Sequence, residues 1–94
     1  MHDFSIKIND TVIYPKQIRA ARGLLQISQA ELAKRSGTSA ATVKRIEALS
    51  SDDLRVTVDT LLRIQHALEA DGIVFIEPDE MLGPGVRLKD PKAR

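Results

Sequence analysis

The 94-residue sequence predicts a mainly α fold of four short helices, with short β-strands at its N- and C-terminal ends. Three observations carry that prediction. Apolar residues between Pro15 and Gly72 recur every three or four positions, the period of a helix with one buried face. Ser, Thr and Gly punctuate this stretch where helices begin and stop. Outside it, apolar residues alternate or run for only four or five positions, as strands do. The expected organisation is a strand or hairpin over 1–14, a helical unit over 15–72 and a hairpin with a basic tail over 73–94, within one compact domain.

Phe4, Ile6 and Ile8 share one face of an extended segment, and the turn pair Asn9-Asp10 then leads into Thr11, Val12 and Ile13. A strand is expected there, with a hairpin as the further option. Pro15 suits the first turn of a helix, where its missing N–H has no partner to lose, and Ile18, Ala21 and Leu25 fall on one face, so a first helix should run from Pro15 to about Leu25. Ser28 can cap a second helix, with Glu31 completing a capping box, and Gly37 supplies the left-handed residue that stops it near Ser36. Ser39 caps a third helix from Ala40 to about Leu49, with Val43 and Ile46 inward and Ala41, Lys44, Arg45 and Ala48 outward. After a polar loop, Thr57 caps a fourth helix with the stripe Val58, Leu61, Ile64 and Leu68, ended by Gly72. Ile73 to Ile76 is a short apolar run, Pro78 to Pro84 a turn-rich connector, and Gly85 to Leu88 fits the returning strand of a hairpin.

Composition narrows the function. The chain is 43% hydrophobic but 3% aromatic, with no Cys and no Trp, which excludes a disulfide scaffold or a Cys-ligated metal and leaves an aliphatic core suited to a reducing cytoplasm. No apolar run approaches the roughly 18 to 20 residues of a membrane span, and MHDFSIKIND lacks the basic start and apolar stretch of a secretory signal. A cytoplasmic, unprocessed chain with no membrane partner is expected. The net charge of +1 hides a strong asymmetry. Pro15 to Leu49 carries seven basic and two acidic residues, Ser50 to Leu82 two basic and eight acidic ones, and the tail from Gly83 is basic again.

The two short helices joined by a Gly-containing turn form a helix-turn-helix unit. Its sequence from Ser28 to Glu47, SQAELAKRSGTSAATVKRIE, resembles the phage repressor and Cro-like family, also called XRE-type regulators, and the likeness extends over about Pro15 to Gly72. It rests on Gln29 after the cap, the small Ala33, Gly37 in the turn, Ser39 at the next cap, and Val43 with Ile46 behind the outward face. The resemblance implies a lambda-repressor-like four-helix core that binds double-stranded DNA, with the third helix in the major groove. By position, the family's base-reading residues fall on Ala40, Ala41 and Arg45, with Thr42 and Lys44 beside them. Family members often carry paired amides at the first two positions. Two alanines offer only apolar contact or close backbone approach, so Arg45 must supply most of the polar reading; the alternative for it is a phosphate contact. Ser28, Gln29 and Ser39, at helix starts, and Lys34 and Arg55 are expected on phosphates, with Arg35 and Lys44 as further candidates and Asp52 and Asp53 turned away. Arg22 and Glu47 each stand as a charge on an otherwise apolar face, and the resemblance implies a structural salt bridge between them.

Nothing in the sequence points to catalysis, a metal or a cofactor. His2 and His66 stand apart, Asp52 and Asp53 share a loop, and Gly83-Pro84-Gly85 lacks the strand-to-helix setting of a phosphate cradle. The expected function is a sequence-specific regulator, a repressor acting as a homodimer, with Phe4–Ile8 and Ile73–Ile76 paired into a small sheet with the hairpin at Val86–Leu88, whose exposed edge or face joins subunits. The alternative is an antitoxin-type module whose acidic half neutralises a toxin partner while its basic half represses its own operon.

Overall fold

The computed structural model describes residues 13–49 and 57–92. Its elements are α1 (Pro15–Leu25), α2 (Gln29–Ser36), α3 (Ala40–Glu47), α4 (Val58–Ala70), β1 (Ile73–Ile76) and β2 (Gly85–Leu88). The strand expected at Phe4–Ile8, the residues Thr11 and Val12, and the loop with Asp52, Asp53 and Arg55 lie outside the described residues. Ile13 is not in a strand; it is buried at the edge of the core.

Each helix begins where its local chemistry directs. The N–H of Tyr14 donates to Gln17 Oε1 at 2.8 Å at the start of α1. Ser28, Ser39 and Thr57 accept N–H groups from Glu31, Thr42 and Thr60, three residues on, at the starts of α2, α3 and α4. Only half of the expected capping box forms at Ser28, because the Glu31 carboxylate instead takes Arg35 Nε at 2.9 Å, one turn along the same face. α1 closes on Gln26, a non-glycine residue at φ 58°, and α2 on Gly37 at φ 71°. α3 ends at Glu47, two residues before the expected stop, as the Ala48 N–H bonds back to the carbonyls of Lys44 and Arg45 at 3.2 Å.

The core lies where the four helices meet the sheet. Ile18, Leu32, Val43, Ile46, Ile64 and Leu68 are fully buried, and the small side chains of Ala21 and Ala33 allow close helix approach. Val58 departs from the expected stripe of α4. It occupies the helix's first position, before the stripe meets the core at Leu61, and is 61% exposed.

β1 and β2 pair antiparallel, with Ile73 opposite Leu88 and Ile76 opposite Gly85. Ile73, Phe75, Val86 and Leu88 turn toward the core, while Val74, Ile76 and Arg87 are exposed. α1 holds the connector end of this ladder. Buried Gln17 donates through Nε2 to the carbonyls of Gly85 at 2.9 Å and Ile76 at 3.2 Å. With the bond from Tyr14 it uses three of its four hydrogen-bonding positions, which is why a polar side chain can occupy this face.

Candidate nucleic-acid interface

The approach of α2 to α3 determines which side of α3 faces outward. Gly37 and Ser39 bound a turn of three residues, and the Thr38 N–H closes it on the Ala33 carbonyl at 2.9 Å. Within it the hydroxyls of Ser36 and Thr38 share a hydrogen bond at 2.9 Å, and Ser36 Oγ also donates to the Leu32 carbonyl. Val43 and Ile46 then anchor α3 against the core, at 0% and 1% exposure, which turns the opposite flank to solvent.

On that flank stand Ala40, Ala41, Lys44 and Arg45, all exposed, with Thr42 half-buried. Neither Lys44 nor Arg45 has an ion-pair partner among the described residues. The Thr42 hydroxyl accepts from Ser39 Oγ at 2.9 Å, which ties these two side chains together at the start of the helix. The surface is therefore two cations beyond a small, methyl-lined helix start. Such a surface admits close approach by a polyanion without steric obstruction from the first turn.

Behind the flank, Glu47 organises three elements. Arg22 of α1 grips its carboxylate with both arms, Nε to Oε2 at 2.6 Å and Nη2 to Oε1 at 2.8 Å. Gln29, the first residue of α2, adds Nε2 to Oε1 at 3.0 Å, and Arg19 donates Nη1 to the Glu47 main-chain carbonyl at 2.8 Å. Burial pushes the Glu47 carboxyl upward, but hydrogen bonds from Arg22 and Gln29 and the nearby guanidinium charges outweigh it, leaving the group below the ordinary value of 4.5. Arg22 is correspondingly held in its charged form by the hydrogen bond to Glu47, and its Nη1 also reaches the Ile27 carbonyl at 3.1 Å.

The remaining sequence-predicted positions are placed differently from one another. Lys34 is exposed and has no ion-pair partner among the described residues. Ser28 and Ser39 sit at helix starts with their hydroxyls already engaged in capping. The Gln29 amide is turned to Glu47, so its main-chain N–H is the group left at the helix start. Arg35 is bound to both Glu31 and Asp71, at 2.9 Å and 2.6 Å, which neutralises it as a free cation. Arg55 lies outside the described residues. Sequence reasoning missed Arg19 and Gln17. Each lies one residue from the apolar position Ile18, and periodicity carries no signal for a polar side chain that bonds to distant carbonyls.

Among the described residues no His, Asp and Glu side chains gather into a metal-binding group. No described helix is long and apolar enough to cross a membrane. The sequence model of the helix-turn-helix family matches residues 18–71, from within α1 to just beyond α4. Among curated proteins, none matches the chain.

Proposed function

The chain belongs to the XRE-type helix-turn-helix family of DNA-binding regulators, not a family of enzymes, and from that premise we propose a repressor that occupies its operator as a homodimer. The observation that carries this reading is the exposed cationic flank of α3, Lys44 and Arg45, which has no ion-pair partner among the described residues and lies opposite the buried Val43 and Ile46. In this reading Arg45 contacts a guanine edge, Lys44 and Thr42 lie beside it, and Ala40 and Ala41 make apolar or close backbone contact. Ser28, Gln29 and Ser39 contribute helix-start N–H groups to phosphates, and Lys34 and Arg55 contribute charge. Arg22 and Glu47 keep α3 seated and touch no DNA.

Two copies are needed to span successive major grooves, with recognition helices roughly 34 Å apart. The exposed Val74 and Ile76 on the outer face of β1 favour the sheet as the joint between subunits. A monomer by light scattering at micromolar concentration, with and without DNA, would remove the dimer. Arg45→Ala tests the reading itself: specific affinity should fall by about 1–3 kcal/mol, with less effect on random duplex. Equal loss on both would make Arg45 a phosphate contact only.

A second reading, an antitoxin-type module, draws on a different observation. Met81 and Leu82 are 86% and 71% exposed on a turn beside Glu77, Asp79 and Glu80. A toxin with a basic rim around an apolar pocket would fit such a tip. Co-purification of a neighbouring gene's product with the wild type but not with Leu82→Asp supports this reading; purification alone in both cases counts against it.

A further inference from the structure

A cavity of about 380 Å3 opens between the start of α1, the end of α3 and the connector that joins β1 to β2. It falls within the roughly 300–1,000 Å3 of small-molecule sites. Its wall includes Tyr14, Lys16, Arg19, Glu47, Pro78 and Pro84.

The charge of this wall is one-sided. The Glu47 carboxylate is taken up by Arg22 and Gln29. Lys16 is exposed, Arg19 donates Nη1 to a main-chain carbonyl, and neither has an ion-pair partner among the described residues. Tyr14 and the two prolines add flat apolar surface beside the cations. We propose that this cavity binds a small organic carboxylate with a flat apolar body, its carboxylate held by Lys16 and Arg19 and its body against Tyr14, Pro78 and Pro84.

The position gives such a ligand leverage. Arg19 holds the Glu47 carbonyl at the last turn of α3, and Pro78 and Pro84 belong to the connector of the hairpin that Gln17 clamps to α1. An acid bound to Arg19 therefore meets both the end of α3 and the hairpin. The site does not rest on the proposed DNA reading, since its residues are apart from Lys44 and Arg45.

The test uses the full chain, labelled with 15N, and benzoate as the probe, with benzamide as its neutral counterpart. Benzoate should shift the amides of Tyr14, Lys16 and Arg19 and the Arg19 Nε–H in a saturable way, and benzamide at equal concentration should not. Lys16→Ala should weaken benzoate by about threefold, the effect of one exposed charge, with the melting temperature unchanged. Equal shifts from both probes, shifts centred on Lys34, Lys44 and Arg45, or no saturable shift at millimolar benzoate would each overturn the proposal. A control separates ligand from nucleic acid: the salt dependence of duplex binding should be the same for Lys16→Ala and wild type. A slope reduced by about 1 would make Lys16 a phosphate contact and overturn it as well.

Discussion

At the scale of single residues, Glu47 connects stability to the orientation of α3. Its carboxyl titrates below 4.5 in the folded chain and near that value when unfolded. The proton is therefore bound more tightly by the unfolded state. The pair's stabilisation is fully present above that ordinary value and is lost as pH falls through the lower, folded one. Glu47→Gln removes the charge but retains an acceptor. It should cost about 3 kcal/mol at neutral pH, the low end for breaking a buried pair, since Arg22 keeps some contact with solvent. In urea melts from pH 7 to pH 3, the gap between wild type and variant should narrow below the ordinary carboxylate value. A constant gap would mean that the carboxyl is not held ionised by Arg22.

At the scale of elements, two connections carry the geometry. Gly37 has φ 71°, a left-handed conformation, and a Cβ there would stand 3.7 Å from Arg63 Nη1, an ordinary contact. The cost of Gly37→Ala is then conformational, about 1–2 kcal/mol, read as a lower denaturation midpoint with unchanged slope. Gln17→Leu removes the clamp that joins α1 to the hairpin. Amide exchange should accelerate in β1 and β2 while the amides of α3 keep their protection, because Arg22 and Glu47 remain. Uniform acceleration would mean that the hairpin and the helices open as one unit. The elements themselves were legible because Pro15, Ser28, Gly37, Ser39 and Thr57 each govern only their own turn. What pattern reading missed depends on tertiary neighbours. Val58 fits the period of α4 but precedes the part that meets the core, and Gln17 breaks the apolar face of α1 yet is buried because the hairpin's carbonyls come to it. The capture of Arg35 by Asp71 was equally invisible, since Asp71 is far away in sequence.

At the scale of the whole molecule, the near-neutral chain is a basic helical half followed by an acidic stretch, and the cations of the basic half are not equivalent. Arg22 and Arg35 are committed to carboxylates, whereas Lys16, Arg19, Lys34, Lys44 and Arg45 have no ion-pair partner among the described residues, Arg19 bonding only a main-chain carbonyl. A count of basic residues from sequence could find the basic half but not sort these two groups. The sorting requires coordinates, because it depends on which acids and carbonyls fold alongside each guanidinium. It also identifies the most direct test of the central claim, that the exposed cationic flank of α3 meets DNA. Fluorescence anisotropy of a random duplex, measured from about 50 to 200 mM salt, should show affinity falling steeply as counterions are released. Lys44→Ala and Arg45→Ala should each reduce the slope or the affinity, and Arg35→Ala should leave both unchanged. Absence of binding at the lowest salt, or equal effects from all three substitutions, would contradict the account.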